Sequence, residues 1–504
     1  MKILPISLVR EADAYTIAHE PVASVDLMER AGMACVEVIA REVDPDTPVV
    51  VVSGQGNNGG DGLVIARHLN TLCYSVQVYV LKLQEKGSPD FEINLKHCSE
   101  AGIPVAFMAS EQETPVFQKH VVIIDALFGS GLSRPVTGRA AGLISAMNRS
   151  GCTIIAIDIP SGLFADAFTD EAAGAIVKAS LTLSLELPKL AMMMPGNFRY
   201  TGPVGVVPIG LDAGFIGCAS TPWTLFANEE AASLFRPRSR VVHKGHFGHG
   251  LLLAGSRERG GAALMSAKAA LRSGAGLLTA HIPGCLASAM NIALPEAMLS
   301  FGTNESRILE IPDISGFSAI AAGPGLGTRT ETAAALRSLL QSNARPLVLD
   351  ADALNILASN PEWLKMLPPD TILTPHPKEF ERLAGTCRND FERLQKAVEF
   401  ASECKCYLVL KSAFTVVIDP EGQCSFNLTG NAGLAKGGSG DTLTGIILGL
   451  LCRGYTPWDA ARLGVFIHGR AAELAAQTIG LDAMLASDVA GWIGQVFKEL
   501  EIRN

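Results

Sequence analysis

The stretch Val49-Val-Val-Val-Ser53-Gly-Gln-Gly-Asn-Asn-Gly-Gly-Asp-Gly62 decides the fold of the N-terminal half of this chain. Its four successive valines are typical of a buried strand, because a parallel strand is covered on both faces. The glycines that follow indicate a turn in which the backbone can approach a ligand closely. An ordinary strand-to-helix turn would explain the glycines, but not Asn57, Asn58 and Asp61 among them. The stretch therefore predicts a β/α unit that carries a binding turn.

Strand-like and helical segments alternate on either side of this unit. Helical periodicity covers residues 10–43, with apolar side chains on one face at Leu27, Met28, Ala31, Cys35 and Val38. The other strands predicted for this half cover residues 76–80, 121–124, 153–157 and 181–184. Such alternation predicts βαβ units and a mostly parallel sheet.

The second half of the chain shows the same alternation. Its predicted strands cover residues 250–254, 277–282, 319–322, 346–349, 371–373, 407–410 and 415–418. Helices are predicted at about 430–452 and 460–476, and a connection without a clear pattern at about 214–228. Because 504 residues exceed one hydrophobic core, we expect two α/β domains, residues 1–220 and 221–504.

The composition excludes several classes of protein. No segment approaches the ~20 uninterrupted apolar residues of a membrane helix, and no secretion signal is recognised at the start, so we expect a cytoplasmic protein without a membrane. A net charge of −9 without a Lys/Arg block gives no support for nucleic-acid binding. The eleven cysteines lack the paired spacing of a zinc site.

Polar residues cluster at three predicted strand ends of the first half. Besides the glycine-rich turn, Asp125 begins one cluster and Asp158 begins another that contains Ser161. Ligands of open parallel sheets bind where the strands end. Asn58, Asp125 and Ser161 offer only hard oxygen ligands, which favour an alkali or alkaline-earth ion over zinc. Asp158 is a free candidate acid or base, although each aspartate taken singly could be a cap or turn residue.

In the second half, the most informative stretch is Asn431-Ala-Gly-Leu-Ala-Lys-Gly-Gly-Ser-Gly-Asp441-Thr-Leu-Thr-Gly445. Backbone N–H groups of residues 437–440, at the start of a helix near Asp441, can hold a phosphate without a Cβ in the way. Asp441 would then face the oxygen that approaches this phosphate. A plain helix cap would explain Asp441 or one glycine, but not the whole cluster.

Further polar groups follow the other strands of this half. They lie in residues 323–327, 350–355, 374–379 and 411–415. Lys411 could reach a phosphate, although an exposed lysine at a turn is commoner. His376 lies between two prolines and could equally be a histidine satisfied in the core. Asp350 and Asp352 could simply cap a helix.

Several ordered motifs of the first half resemble the NAD(P)H-hydrate epimerase domain over about residues 1–215. They are Arg10-Glu-Ala-Asp-Ala-Tyr-Thr, Leu27-Met-Glu-Arg-Ala-Gly32, Gly56-Asn-Asn-Gly-Gly-Asp-Gly62, Val122-Ile-Ile-Asp-Ala-Leu-Phe-Gly129 and Asp158-Ile-Pro-Ser-Gly162. The resemblance implies a Rossmann-like three-layer sandwich. It implies K⁺ ligands at Asn58, Asp125 and Ser161, and substrate contacts at Asn57, Asn58, Gly59, Gly60, Asp61, Gly129, Ser130, Gly131, Leu132, Ser133, Arg134, Pro135 and Asp158. Asp158 is the expected catalytic residue.

From about residue 225 onward, the chain resembles the ADP-dependent NAD(P)H-hydrate dehydratase, within the ribokinase-like superfamily of three-layer sandwiches. The motifs that carry this resemblance are Lys244-Gly-His-Phe-Gly248, Gly323-Pro-Gly-Leu-Gly327, Asp350-Ala-Asp-Ala-Leu-Asn355, Thr374-Pro-His-Pro-Lys-Glu379 and residues 431–445. It implies nucleotide contacts at Lys411, Ser412, Ala413, Phe414, Thr415 and Gly440, and substrate contacts at Ala262, Gly325, His376 and Asp441. The family usually has glycine where this chain has Ser412, a change small enough that nucleotide binding should survive.

Together the two resemblances imply a bifunctional repair enzyme. Water adds to the nicotinamide C5=C6 bond of NADH or NADPH and gives two C6 epimers. The first domain would interconvert the R and S forms, and the second would dehydrate the S form with ADP and Mg²⁺, giving AMP and phosphate. Asp441 would be the base that activates the hydroxyl. The family also implies a homo-oligomer.

Two other functions stay open from the sequence. The first is a small-molecule kinase of the ribokinase-like superfamily that acts on a vitamin-precursor alcohol and releases a stable phosphorylated product. The second is a nucleotide-binding scaffold without catalysis, against which the presence of both Asp158 and Asp441 argues.

Overall fold

The computed structural model describes residues 1–20, 22–110 and 113–503. It divides the chain into two compact units. The first comprises residues 1–223 together with 389–391, and the second comprises residues 224–388 and 392–504.

The first unit is built on a seven-stranded sheet in which every pair of neighbouring strands is parallel. Its strands are β1 (Val49–Ser53), β2 (Val76–Leu81), β3 (Val105–Met108), β4 (Val122–Ala126), β5 (Thr153–Ile157), β6 (Leu181–Leu185) and β7 (Val204–Val207). Their order is β3-β2-β1-β4-β5-β6-β7, so the direction of winding reverses between β1 and β4. Such a reversal opens a crevice at the carboxyl ends of the two strands.

Helices cover both faces of this sheet. They are α1 (Ile6–His19), α2 (Ser24–Glu42), α3 (Asn57–Thr71), α4 (Pro89–Glu100), α5 (Gly138–Arg149), α6 (Phe198–Thr201) and α7 (Ala213–Cys218). Val49 and Val51 face a core with α2, α3 and α4, whereas Val52 packs with α5 on the opposite face. The alternate residues of a strand point to opposite faces, which explains why an uninterrupted valine run was needed.

The helical periodicity of residues 10–43 belongs to two helices. The first, α1, ends at His19, and the second, α2, begins at Ser24. Residue 21 of the predicted stretch lies outside the described residues. The predicted apolar face is confirmed for α2, in which Leu27, Met28 and Cys35 are buried.

The second unit contains a ten-stranded sheet with the order β11-β10-β9-β12-β13-β14-β15-β16-β17-β8. The strands are β8 (Trp223–Leu225), β9 (His249–Leu253), β10 (Leu277–His281), β11 (Met298–Ser300), β12 (Ala319–Ala322), β13 (Leu347–Leu349), β14 (Thr371–Leu373), β15 (Tyr407–Leu410), β16 (Thr415–Ile418) and β17 (Cys424–Asn427). From β11 to β15 in this order, which includes β10 and β9, neighbouring strands are parallel. Strand β16 pairs antiparallel with both β15 and β17. The winding reverses between β9 and β12.

The helices of the second unit are α8 (Asn228–Leu234), α9 (Gly260–Arg272), α10 (Ala287–Ala293), α11 (Thr330–Ser342), α12 (Asp352–Ser359), α13 (Pro377–Ala384), α14 (Asp390–Cys404), α15 (Ser439–Cys452), α16 (Pro457–Ile479) and α17 (Ala486–Arg503). Helices α9, α15, α16 and α17 share one core with alternate strand residues. The intervening strand residues, such as Leu347 and Leu349, are buried as well.

Three sequence expectations needed correction here. The helix predicted from residue 430 begins at Ser439, because Asn431 caps a separate short 3₁₀ turn over Ala432–Leu434. The segment predicted as a plain connection contains α7 and β8. Five short strands, β3, β7, β8, β11 and β17, were missed, and the first four occupy sheet edges. Edge strands need less apolar sequence because they are covered less.

None of the helices in the part of the chain that the structure describes has the length and apolar character needed to span a bilayer.

Candidate active sites

The glycine-rich turn of the first unit lies at the crevice between β1 and β4. Helix α3 begins at Asn57, so residues 57–61 form its first turn directly after β1. The free N–H groups and the positive end of a helix favour an anion at this position. The loop after β4 faces the same crevice, since the Cβ that Gly129 lacks would lie 3.1 Å from Asn58 Cβ and 3.4 Å from Asp158 Oδ2.

Several glycines of the turn are required by packing. A Cβ on Gly59 would lie 1.9 Å from the carbonyl oxygen of Gly54, and a Cβ on Gly62 would lie 2.6 Å from Ala126 Cβ. Neither contact is possible for a real side chain, so these glycines allow α3 to lie against the ends of β1 and β4. The ordinary explanation, a tight turn, therefore holds for them, while the polar residues between them face a cavity.

A cavity of about 770 Å³ lies wholly within the first unit. Its volume falls in the range of small-molecule sites. Eight of the predicted site residues line it: Asn57, Asn58, Asp61, Gly129, Ser130, Gly131, Leu132 and Asp158. Gly59, Gly60, Ser133, Arg134 and Pro135 are not part of its lining, and their substrate contacts stay predictions.

Asp158 was expected to be unpaired, but it is held in an ion pair, and its role as an acid or base stays a prediction. Its Oδ1 lies 2.5 Å from the Nζ of Lys189, and its Oδ2 accepts a hydrogen bond of 3.0 Å from the backbone N–H of Ser130. Burial would raise the pKa of Asp158, but the ammonium of Lys189 and the hydrogen bonds hold it below the usual value. Asp158 is therefore a carboxylate kept ionised at the cavity wall.

Lys189 itself is held rigidly. It is 1% exposed, and its Nζ also donates to Ser184 Oγ at 3.0 Å and to the backbone oxygens of Leu185 and Leu187 at 3.0 and 3.1 Å. Asp158 has a φ of 65°, a left-handed conformation that is uncommon outside glycine. Such strain is maintained only where the surroundings determine it. The ion pair thus fixes the direction in which Asp158 points.

Of the three residues proposed for a cation, Asn58 lines the cavity, and Asp125 and Ser161 are fully buried. Ser161 donates to Asp125 through its hydroxyl at 2.6 Å and through its backbone N–H at 2.8 Å. Asn58 is 9% exposed, and neither its Oδ1 nor its Nδ2 has a hydrogen-bond partner among the described residues. Burial raises the pKa of Asp125 to about 6, against the hydrogen bonds from Ser161 and Leu127. A buried amide without partners and a buried carboxyl group both offer the hard oxygen atoms that suit an oxygen-ligated cation.

In the second unit, the predicted anion site is formed by the start of α15. Gly438 precedes it with a φ of 96°, and a Cβ there would lie 2.5 Å from Met265 Cε. Further along the helix, a Cβ on Gly445 would lie 2.1 Å from the backbone oxygen of Ser266 in α9. These glycines let α15 lie close against α9, which holds the first turn of α15 in place.

A buried ion pair lies beside this turn. Asp350 is 1% exposed, and it accepts from Lys411 Nζ at 2.7 Å and from Thr444 Oγ1 at 2.7 Å. Burial would raise the pKa of Asp350, but Lys411 and these hydrogen bonds hold it below the usual value. A Cβ on Gly440 would lie 3.1 Å from Lys411 Nζ, so the ammonium lies next to the first turn of the helix. Lysine and helix start can therefore act on one anion.

The idea that Asp350 and Asp352 cap a helix is wrong. Neither side chain caps α12. Asp352 instead accepts from Arg259 Nη1 at 2.6 Å and from the backbone N–H of Gly327 at 2.8 Å. Each aspartate therefore links the end of β13 to residues that follow other strands: Asp350 binds Lys411 after β15, and Asp352 binds Arg259 after β9 and Gly327 after β12.

Asp441 lies in the first turn of α15 and is partly buried. Its carboxyl group forms no hydrogen bond or ion pair with the residues that the structure describes. Burial and the charge of Asp350 raise its pKa to about 6, with Lys411 acting in the opposite direction. Unlike Asp158, Asp441 is therefore free to take a proton near neutral pH.

His376 is held by the start of α13 rather than by the core. Its Nδ1 accepts from the backbone N–H groups of Lys378 and Glu379 at 3.2 and 3.4 Å, which places the proton of the neutral ring on Nε2. Burial lowers its pKa, and Glu379 opposes this change. The Nε2 atom lies 3.4 Å from Glu379 Oε1, and 44% of the His376 side chain is exposed.

The remaining predicted residues of the second unit fall into two groups. Gly325 and Ala262 are neighbours, since a Cβ on Gly325 would lie 3.1 Å from Ala262 Cβ. Ser412 belongs to the turn between β15 and β16 together with Ala413 and Phe414, and Thr415 begins β16. The hydroxyl of Ser412 donates to the backbone oxygen of Phe414 at 2.7 Å. That hydroxyl is therefore used within the turn, and nucleotide contact at Ser412 stays a prediction.

Some residues of these sites had no signal that we recognised in the sequence. Lys189 reaches the first site from a segment that was not interpreted for function. Thr444, Glu379 and Asp13 lie in motifs quoted above, but no role was assigned to them. Lys189 follows a strand end, which is the signal that could have indicated it.

Comparison with known families agrees with this arrangement. A family described as NAD(P)H-hydrate dehydratase matches residues 250–494. A family described as the YjeF-related protein N-terminus matches residues 24–191.

The relatives extend over nearly the whole chain. The bifunctional NAD(P)H-hydrate repair enzyme Nnr of Moorella thermoacetica is 34% identical over 97% of this chain and 96% of its own. The enzyme of the same name from Escherichia coli is 33% identical over 92% of this chain and 88% of its own. Among solved structures, the ADP/ATP-dependent NAD(P)H-hydrate dehydratase of Bacillus subtilis, crystallised with ATP and Mg²⁺, is 34% identical and has a TM-score of 0.48. The match covers 55% of this chain and 98% of that one.

Proposed function

The chain belongs to the family of bifunctional NAD(P)H-hydrate repair enzymes, and we propose that each of its two units carries one of the two activities. The first unit interconverts the R and S hydrates of NADH and NADPH. The second dehydrates the S hydrate at the expense of ADP. The observation that carries this assignment is the presence of two separate carboxylate sites, one in each unit.

The epimerase site is the cavity at the crevice of the first unit. The start of α3 supplies backbone donors for the phosphates of the dinucleotide, through residues 57–61. The ionised Asp158 faces the same cavity and is the group that accepts a proton from the substrate. The hydrated ring carries a hydroxyl on C6. Epimerisation needs at least one group that accepts the proton of this hydroxyl.

The dehydratase site is centred on the first turn of α15. The N–H groups of residues 437–440 and the ammonium of Lys411 stabilise the transferred phosphoryl group. Asp441 takes the proton of the C6 hydroxyl as the oxygen attacks phosphorus. Loss of phosphate from C6 and of a proton from C5 then restores the double bond, and AMP remains. His376, Gly325 and Ala262 are the proposed contacts to the hydrated ring.

The family name favours this repair activity over the small-molecule kinase alternative. Magnesium would reach the second site on the phosphates of ADP. In the part of the chain that the structure describes, no group of three or more His, Cys, Asp or Glu side chains is placed to hold a metal. Mg²⁺ in nucleotide sites commonly takes most of its ligands from water and from the phosphates of the substrate.

A potassium ion in the first unit would be held by Asn58, Asp125 and Ser161. The residues fit such an ion, because both polar atoms of the buried Asn58 side chain are without partners in the described structure. When bound, K⁺ would supply a fixed positive charge near the cavity. The chain's own residues determine where that charge lies, since Ser161 orients Asp125 through two hydrogen bonds.

Potassium is expected to stabilise the first unit. A ligand that binds only the folded state adds about 2.7 kcal/mol to the free energy of unfolding at a hundred times its dissociation constant. We therefore expect KCl to raise one calorimetric unfolding transition relative to choline chloride at equal ionic strength. Asn58→Leu should remove that increase, whereas Asn57→Leu, at the exposed neighbouring position, should keep it. An equal increase in both variants would contradict the proposed ligand set.

The test of the proposed function is the recovery of reduced nicotinamide from mixed hydrate epimers. With ADP or ATP and Mg²⁺ present, the full chain should restore the absorbance of NADH or NADPH completely. Half recovery would mean that only the S form is used and that the first unit does not epimerise. A stable phosphorylated product without restored absorbance would favour the kinase alternative, and no reaction at all would favour a scaffold.

The proposed partners are small molecules: hydrated NADH and NADPH, and ADP. We propose the cytoplasm as the location, because these nucleotides are cytoplasmic metabolites. The homo-oligomer implied by the family stays a prediction that sedimentation of the purified chain would test.

A further inference from the structure

The cavity of the first unit contains a carboxyl group that the site described above does not use. Asp13 lies in α1 and lines the cavity together with Asp158 and Lys189. Its carboxyl group forms no hydrogen bond or ion pair with any residue that the structure describes. A carboxyl group without a partner at the wall of a substrate cavity is available to the substrate.

Four titratable groups lie near Asp13 on the surrounding elements. Asp158 and Lys189 lie after β5 and β6, and Glu186 follows β6 directly. The fourth is Asp61 in α3, whose pKa is raised well above its usual value by burial and by the charges of Asp158 and Asp13. Arg10 lines the cavity one turn earlier in α1. Burial, followed by the charge of Asp158, raises the pKa of Asp13 to about 6, with Lys189 opposing and Glu186 adding to the increase.

Asp13 and Asp158 thus differ in the direction of their pKa shifts. The ion pair with Lys189 lowers the pKa of Asp158 against the effect of burial, whereas Asp13 lacks such a pair. Two carboxyl groups whose surroundings separate their pKa values in one site serve as acid and base. At and below about pH 6, the cavity can hold Asp158 ionised and Asp13 protonated at the same time.

Epimerisation at C6 requires such a pair. The C6 atom carries both the hydroxyl and the ring nitrogen N1, so breaking the C6–N1 bond turns C6 into an aldehyde carbon. That carbon can rotate and be attacked on its other face. The step needs a base for the hydroxyl proton and an acid for N1, and it consumes no other reagent.

We propose that Asp13 is a catalytic residue of the epimerase that donates a proton to N1 while Asp158 accepts the proton of the C6 hydroxyl. The C6–N1 electron pair moves to N1 as the C6=O bond forms. After rotation about C5–C6, N1 returns its proton to Asp13 and attacks C6, and the oxygen recovers its proton from Asp158. Both carboxyl groups end in their starting states. This inference rests on the proposed epimerase function.

The test uses the full chain, the R hydrate alone and no adenine nucleotide. The appearance of the S hydrate is followed by chromatography, with the spontaneous rate subtracted. Asp13→Asn should lower kcat by about 10²–10⁴-fold, because Asn cannot donate the required proton, while KM changes by less than about threefold. Glu11→Gln, an exposed carboxylate two residues away in α1, should retain the wild-type rate.

The pH dependence separates a proton donor from a structural residue. Asp13 must be protonated to act, so kcat/KM of the wild type should fall as pH rises through the pKa of Asp13, about 6. Glu186→Gln removes a charge that raises this pKa and should move the decline to lower pH. Asp13→Glu should be more active than Asp13→Asn, and its kcat/KM should again fall as pH rises.

Two results would overturn the proposal: an undiminished kcat in Asp13→Asn, or a reduced kcat whose decline near pH 6 persists in that variant. Failure of the underlying function would look different, because the wild type itself would then produce no S hydrate above the spontaneous rate.

Discussion

Replacing Asp441 by Asn is expected to reduce dehydration of the S hydrate by about 10²–10⁴-fold while epimerisation continues. The carboxyl group of Asp441 has no partner among the described residues, and it lies in the first turn of α15 beside the proposed phosphate site. Asn keeps the shape of the side chain and cannot accept the hydroxyl proton. The measurement is the return of reduced-nicotinamide absorbance from pure S hydrate with ADP and Mg²⁺.

The same assignment predicts how dehydration depends on pH. Asp441 must be ionised to act as a base, and burial together with Asp350 raises its pKa to about 6. The kcat/KM for dehydration should therefore increase as pH rises through about 6 and then level off. This is opposite in direction to the decline expected for epimerisation, so the two activities of one chain should respond oppositely between pH 5 and 7.

A matched control for this variant is Asp459→Asn. Asp459 lies in the first turn of α16 in the same unit and pairs with Arg462 at 2.8 Å. The Asp459→Asn substitution makes the same chemical change outside the proposed site, so this variant should dehydrate the S hydrate at the wild-type rate. Dehydration by Asp441→Asn at the wild-type rate would remove Asp441 from the mechanism, and loss of both activities would indicate misfolding rather than a lost base.

Replacing Asp158 by Asn is expected to abolish measurable epimerisation and to destabilise the first unit. The chemical loss should again be about 10²–10⁴-fold, because the ionised acceptor of the hydroxyl proton is removed. In addition, the change leaves the ammonium of the 1% exposed Lys189 without its counter-charge. Removing one partner of a buried ion pair typically costs about 3–5 kcal/mol.

The stability effect has its own pH dependence. The folded pKa of Asp158 is lowered, so its ionised form stabilises the fold above the pKa of the unfolded chain, near 4. This contribution is lost as pH falls through the lower folded pKa. The difference in unfolding free energy between wild type and Asp158→Asn should therefore be full at pH 7 and shrink in acid.

Glu29→Gln separates the loss of chemistry from the loss of stability. Glu29 pairs with Arg67 and His68 outside the cavity lining, so its replacement should lower the stability of the same unit without stopping epimerisation. Both variants are compared at a temperature where calorimetry shows each one folded. Epimerisation by folded Asp158→Asn at the wild-type rate would contradict the assignment.

Most strands in the interior of each sheet were predictable from the sequence with small errors at their ends, but the interior strand β17 was missed. Strands β1, β5, β12, β14, β15 and β16 were predicted with their observed bounds. Such strands are buried on both faces and must be apolar along their whole length. The edge strands and the division of residues 10–43 into two helices were missed, because these segments are only partly covered and carry a weaker pattern.

The site residues that follow strands were predictable for a different reason. In a parallel sheet the carboxyl ends of the strands meet at one edge, so polar residues after successive strands come together. This brought Asn58, Gly129 and Asp158 to one cavity from separate segments. The partners of these residues were not predictable, since Lys189 reaches Asp158 only through packing after β6.

By itself, the sequence determined the two α/β units, the chemistry at their strand ends and the family, because these depend on residue type and order along the chain. Only the tertiary structure decided which carboxyl groups are paired. Asp158 and Asp350 each form an ion pair with a lysine and stay ionised, whereas Asp441 and Asp13 form no such pair with the described residues and can hold a proton near pH 6. The reason is physical: a carboxyl group's proton affinity depends on the charges and solvent within a few ångströms, and those neighbours come from distant parts of the chain.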